Sequence, residues 1–278
     1  MPEPFVKWVG GKRQLLDRII PKVPSLTKRY FEPFVGGGSV FFNLTSKDSP
    51  FHIEYSLIND INQSLINTYL QIRDCPESVM SILSEYDNEV ISGGKDFYYA
   101  QRERFNAKLN INEFDTEMAS LFIFLNKHCF NGVYRVNSKG LFNVPYNNSI
   151  GISFNRDNVL NVSKSLEKTE IKCGDFEEAC DNCERGDFIF FDSPYVPLND
   201  TSFESYTKEG FAKDNHLRLC ELYKRLTDKG CFCLLTNHNT EFVRDMYKDF
   251  NIDVVSVKRF VNSDSRNRNG QEVIITNY

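Results

Sequence analysis

The stretch "GDFIFFDSPYVPL", from Gly186 to Leu198, limits the choice of fold more than any other part of the chain. Phe188, Ile189, Phe190 and Phe191 form an unbroken apolar run between Asp187 and Asp192. Alternate residues of a strand face opposite sides of a sheet, so this run needs cover on both faces. Such a strand belongs in the middle of a mostly parallel sheet with helices above and below. Its tip then delivers Asp192-Ser193-Pro194-Tyr195 to the rim of that sheet.

Both ends of the chain agree with this reading. "RYFEPF" (29–34) reads as a strand running into Gly36-Gly37-Gly38 and then a helix-like "SVFFNL". "YSLIND" (55–60) reads as another strand that ends at an acid. A helix around "HLRLCELYKRLTDKG" closes at Gly230 and is followed by the strand "CFCLLTN". A helix near 240–249, a strand near 252–257 and a final strand "EVIITNY" complete the pattern. From about 63 to 128 the periodicity is helical instead, and "FNGVYRVNSKGLFNVPY" alternates like a β-hairpin turning at Ser138-Lys139-Gly140. The expected architecture is α/β: a doubly wound, mostly parallel sheet of the seven-stranded Rossmann-like kind, with an inserted helical lobe that ends in the hairpin. We expect residues 1–62 and 163–278 to form the sheet domain and residues 63–162 to form a recognition domain.

Composition excludes little. With 278 residues, 41% hydrophobic and 26% charged, the chain has the make-up of an ordinary globular protein. No run approaches the roughly 18 apolar residues of a membrane span, and "MPEPFVKWVGGKRQ" lacks the apolar core of a signal peptide. A cytoplasmic location and no membrane partner are expected. The eight cysteines include one CxxC, Cys180 to Cys183, but the four histidines are scattered. Reduced, structural thiols and no metal site are therefore expected. The net charge of −5 does not advertise nucleic-acid binding. "KRFVNSDSRNRNG", with Arg266 and Arg268, is nevertheless locally basic, and local patches set the field at a groove. A solvated surface loop explains the same residues.

Two motifs carry chemistry. The glycine turn lets the backbone bend sharply and lets another group approach it closely. Asp60 lies at the end of the next strand, where an acid can accept ribose hydroxyls in a doubly wound sheet. No lysine follows the glycines and GxGxxG is incomplete, so this is not a phosphate loop. In the tetrapeptide, Asp192 and the Ser193 carbonyl are neighbouring acceptors, Pro194 restricts Ser193 to extended conformations, and Tyr195 offers a flat ring. Two acceptors and an aromatic face suit a planar base that carries an exocyclic amine. A tight strand–helix turn and a strand ending in a proline turn remain the bland alternatives.

In order, "FVKWVGGKRQLL", "FEPFVGGGSVFF", "LINDIN", "FNGVYRVNSKGLFNVPY", "GDFIFFDSPYVPL", "LLTNH" and "EVIITNY" resemble the Dam-type DNA adenine-N6 methyltransferases over nearly the whole chain. The resemblance implies methyl transfer from S-adenosyl-L-methionine, giving S-adenosyl-L-homocysteine, to an adenine flipped out of double-stranded DNA, typically within 5′-GATC. It implies that Trp8, Gly10 and Lys12 line the cofactor's methionine end and that Phe34, Gly36 and Gly38 pass beneath the cofactor. Asp60 would bind its ribose, with Asp175 and Phe176 at its adenine. Asp192, Ser193, Pro194 and Tyr195 would hold the target base, Asp192 also lying near the sulfonium. Phe130 and Asn131 would wedge into the duplex; Lys7, Val133, Arg135 and Pro145 would contact bases, Arg135 reading a guanine. Arg266 and Arg268 would contact DNA, and a cognate restriction endonuclease acting on the same site is a candidate partner. Ser193 departs from the family's usual proline, but its carbonyl and Pro194 survive. A related RNA or protein methyltransferase and a catalytically impaired DNA-binding relative are the alternatives.

Overall fold

A computed structural model describes residues 1–198, 211–258 and 269–278, with the side chains of Lys258 and Asn269 outside the description. Arg266 and Arg268 fall outside the described residues.

Seven strands form one sheet: β1 (Arg29–Glu32), β2 (Tyr55–Asp60), β3 (Thr169–Cys173), β4 (Phe188–Phe191), β5 (Phe232–His238), β6 (Asn251–Lys258) and β7 (Asn269–Thr276). Their order is β3-β2-β1-β4-β5-β7-β6. The first five run parallel, and β7 lies antiparallel between β5 and β6. β1 pairs with β2 on one side and β4 on the other, with Phe31 opposite both Leu57 and Ile189. The strand order therefore reverses between β1 and β4, where open sheets of this kind form a crevice at their carboxyl ends.

The apolar run of β4 behaves as its sequence requires. All four residues are fully buried. Phe188 and Phe190 join one core with Tyr30, Ile58, Leu234 and Ile274, while Ile189 and Phe191 join the other with Phe31, Leu57, Leu235 and Ile275. Helix α7 (Lys213–Lys229), which ends at Gly230, and α8 (Glu241–Met246) cover the second face. The first face is covered by α1 (Leu16–Ile19), α2 (Ser39–Thr45), α3 (Gln63–Asp74) and α6 (Arg156–Leu166).

Beyond them the same core continues into α4 (Pro76–Asn110), which breaks from helical geometry at Gly94, and α5 (Thr116–His128). The side chains of Asn62, Asp115 and Asn155 accept hydrogen bonds from the N–H groups of Leu65, Met118 and Asn158 and so start α3, α5 and α6. The ribbon from Phe130 to Tyr146 turns at Asn137–Gly140, and its strands exchange only sparse bonds, such as Asn143 N–H to the Arg135 carbonyl (3.2 Å). Helix α4 takes the rest of the second strand's backbone. The Asn106 amide bonds both the N–H and the carbonyl of Phe142, and the Tyr98 hydroxyl donates to the Val144 carbonyl at 2.9 Å. The ribbon is thus fastened to the helical lobe as well as to itself.

Candidate active site

Asp192 lies just past β4, at the point where the strand order reverses. Its Oδ1 accepts a hydrogen bond from Thr236 on β5 at 2.9 Å and pairs with Lys12 Nζ at 2.7 Å. Both of these contacts fall on Oδ1, and among the described residues no hydrogen bond falls on Oδ2. Lys12 is only 6% exposed, and its ammonium also bonds the Gly10 carbonyl and lies 4.7 Å from the Tyr195 ring centre. Burial pushes the Asp192 carboxyl up; Lys12 and Thr236 oppose that shift. A buried charge pair of this kind holds geometry, because either partner alone would be left desolvated.

The rest of the tetrapeptide is held by strands far away in sequence. The Tyr195 hydroxyl donates to Glu272 on β7 at 2.9 Å, and burial together with Asp192 and Glu272 pushes that phenol far up, so it stays a donor. The His238 ring meets Tyr195 edge-on at 4.9 Å, and His238 Nδ1 contacts the Val196 carbonyl at 2.7 Å. Asn237 Oδ1 accepts from the Val196 N–H at 2.9 Å. "LLTNH" therefore fixes the loop after β4 from its parallel neighbour, a role the segment's own residues did not disclose. Ser193 is buried, and its hydroxyl lacks a hydrogen bond among the described residues. Glu32, at the end of β1, was also missed. It is 2% exposed, accepts from Tyr30 at 2.7 Å, and burial raises its carboxyl well above the usual range.

The glycine turn adjoins this rim. Gly36 has φ +47°, and a Cβ there would sit 2.6 Å from Trp8 Cδ1. The close approach that demands glycine comes from an indole of this same chain. Tyr69 donates to the Gly36 carbonyl at 2.9 Å, and Gly38 opens α2. Asp60 accepts the Gly36 N–H at 3.1 Å and the Asn62 N–H at 2.9 Å. Burial pushes its carboxyl up to about 6 against those bonds. Phe176 stacks on Phe34 at 5.3 Å and Phe211 closes the cluster, while Arg218 lies 4.9 Å from the Phe176 ring centre and pairs with Asp175. Phe211 and Arg218 had no signal in the sequence. An acid beside a glycine turn, an aromatic cluster and a buried Lys–Asp pair on one rim fit the ribose, adenine and methionine parts of S-adenosylmethionine by chemistry of the donor set. Among the described residues no group of three or more His, Cys, Asp or Glu could hold a metal ion.

Of the residues expected to contact DNA, those described, Lys7, Phe130, Asn131, Val133, Arg135 and Pro145, lie on or beside the ribbon. Phe130 is 56% exposed, Asn131 has φ +56°, and the Phe130 N–H bonds the Pro145 carbonyl at 2.8 Å. Arg135 is exposed, with its Nε donating to Asn143 across the ribbon at 2.9 Å. Lys7 joins them through buried Asn126, which accepts the Lys7 N–H at 2.7 Å and donates to the carbonyls of Lys7 and Gly132. A Cβ on Gly132, at φ +65°, would fall 2.4 Å from the Lys7 stem, so only glycine lets the two segments meet. Lys127, which the sequence did not single out, lies near Lys7, and burial followed by that like charge lowers its ammonium's pKa.

The family described as D12 class N6 adenine-specific DNA methyltransferase matches residues 8–261. The type II methyltransferase M.MjaIII of Methanocaldococcus jannaschii is 40% identical over 290 residues, covering 99% of each chain. The type II methyltransferase M1.LlaDCHI of Lactococcus lactis subsp. cremoris is 38% identical over 280 residues, covering 99% of this chain and 95% of the relative. The DNA adenine methylase of Haemophilus influenzae is 30% identical, with 95% and 90% covered.

Proposed function

The chain belongs to the D12 class N6 adenine-specific DNA methyltransferase family, and from that premise we propose that it methylates adenine flipped out of duplex DNA within 5′-GATC. The methyl donor is S-adenosylmethionine, which when bound supplies a methyl group on a sulfonium. Residues 63–162 act as the target-recognition unit in this reading, and residues 1–62 and 163–278 as the catalytic unit.

The observation that carries the proposal is the Asp192–Tyr195 rim beside the Gly36 turn. Asp192 Oδ2 and the Ser193 carbonyl accept hydrogen bonds from the two N–H groups of the adenine amine, and Tyr195 stacks on the base. Those hydrogen bonds draw the amine lone pair out of conjugation with the ring and make it a better nucleophile. Lys12 and Thr236 hold Asp192 in place from its other oxygen, so little reorganisation is needed on reaction. Phe130 and Asn131 occupy the gap that the base leaves, and Arg135 bonds both acceptors of one guanine edge. A cognate restriction endonuclease sharing the site is the proposed partner, favoured by two relatives that bear the name type II methyltransferase.

Methylation-sensitive sequencing of DNA from cells expressing the chain tests activity and target together. Methyladenine confined to GATC is expected. Modification at another motif would overturn the specificity, and none at all would overturn the activity.

A further inference from the structure

Tyr134 stands between Val133 and Arg135 on the ribbon, yet its ring points away from that exposed surface. It stacks on Trp8 with centroids 6.0 Å apart and planes 21° apart, and Phe122 and Phe142 pack on it at 5.4 and 5.7 Å. Trp8 in turn lies on Gly36, so closely that no side chain fits between them. The Tyr134 hydroxyl faces the side chains of Asn62 and Ser64. Asn62 donates its own N–H to Asp60, and Asp60 accepts the Gly36 N–H. From both ends of one tyrosine, then, contact runs into the two elements assigned to the cofactor. The second chain segment here repeats the arrangement, because Lys7, fastened to Gly132 of the ribbon, immediately precedes Trp8.

We propose that Tyr134 is a positioning residue that couples engagement of DNA by the ribbon to binding of the cofactor at the Gly36–Asp60 turn. The inference rests on the reading of the chain as a duplex-DNA methyltransferase. Close-packed rings transmit displacement instead of absorbing it. A shift of the ribbon on the duplex moves Tyr134, and with it Trp8 on the glycine turn and Asn62 beside Asp60. Linkage makes the effect reciprocal: whatever factor DNA applies to cofactor affinity, cofactor applies to DNA affinity.

The test measures S-adenosylhomocysteine binding by calorimetry, with the full chain alone and with the chain saturated by a GATC duplex. The duplex carries an abasic nucleotide in place of the target adenine, so that no base touches the cofactor directly. In the wild type the duplex should change the affinity by roughly 5- to 150-fold, the usual range for coupled sites. In Tyr134→Leu the factor should fall below about twofold, with each ligand's separate affinity within about threefold of wild type, a pattern that lost packing alone does not produce. Tyr134→Phe keeps the stack but loses the hydroxyl and should lie between; it decides the matter should the leucine variant not fold. Wild-type coupling retained in Tyr134→Phe and in any folded Tyr134→Leu would overturn the inference, as would a wild type that binds both ligands independently. A wild type that binds neither ligand would instead sink the functional reading, and this inference with it.

Discussion

The loop at the tip of β4 and the ribbon from Phe130 to Tyr146 are both irregular backbone, but they are held in different ways. At the rim, Lys12, Thr236 and Glu272 hold the side chains of Asp192 and Tyr195, while Asn237 and His238 hold the Val196 main chain behind them. At the ribbon, Asn106, Tyr98 and Asn126 hold main-chain groups and leave the Phe130 and Arg135 side chains exposed, Arg135 braced only by Asn143 of the same ribbon among the described residues. The difference fits the tasks we propose for them. Chemistry needs desolvated groups whose positions precede the substrate, whereas reading a sequence needs solvated groups on a stiff support. A substitution at the rim should therefore cost turnover on every substrate, and one at the ribbon's exposed Arg135 should cost discrimination.

Asp192→Ala gives the largest test of that contrast. One lost preorganised contact costs about 100- to 1,000-fold in turnover, and here an acceptor and the partner of Lys12 go together, so the fall should reach at least the upper figure. Leaving Lys12 buried without its partner should also destabilise the fold by about 3–5 kcal/mol. Turnover under saturating cofactor and DNA, with a melting curve alongside, measures both; near-normal turnover would end the catalytic assignment.

Glu272→Gln probes the same network from a distance. It replaces a charged acceptor of the Tyr195 hydroxyl by a neutral one, and bonds to charged groups contribute about 1.5–3 kcal/mol. Turnover should fall roughly tenfold on all sites alike, which the ratio of rates on altered and unaltered GATC duplexes reads directly. A site-dependent loss would blur the line between rim and ribbon.

Arg135→Ala should do the reverse. Methylation of GATC should drop by the roughly 1–3 kcal/mol that a bidentate guanine contact is worth, while duplexes already altered at that guanine should hardly change. The measurement is kcat/KM on a panel of singly substituted sites, and a uniform fall across the panel would return Arg135 to a phosphate contact.

Asp60 supplies a pH test. Burial pushes its carboxyl up to about 6, above its ordinary value of 3.8. The folded protein thus holds that proton more tightly than the unfolded chain, so Asp60 contributes stability below about pH 4 that is lost as pH rises through 6. Cofactor affinity should run the other way, weakening as pH falls below 6 because the ionised form is the better acceptor for ribose hydroxyls. Titration calorimetry across pH 5 to 8 should show this slope in the wild type and its loss in Asp60→Asn. The smallest effect belongs to Ser193→Pro. Pro194 already restricts residue 193 and the required acceptor is a carbonyl, so turnover should stay within roughly tenfold; a collapse would give the buried hydroxyl a role of its own.

The sequence by itself determined what local rules control. β4 was legible because four apolar residues in a row admit one environment, and the glycine turn and the acid that ends β2 were legible because strand ends and their punctuation are short-range. Helix α6 was overlooked although Asn155 and the spacing of Val159, Val162 and Leu166 signal it. β3 was overlooked for a better reason: "TEIKC" is a half-exposed edge strand too short for its alternation to register. Only the tertiary structure decided what touches Asp192 and Tyr195. Lys12 reaches Asp192 from the opposite end of the chain, and Glu272 reaches Tyr195 from 77 residues away. It likewise decided that the neighbour requiring Gly36 is Trp8. A sequence records which residues can form an element, because that depends on neighbours within a few positions. Which buried charge meets which depends on strand order, and strand order is set when the whole core closes.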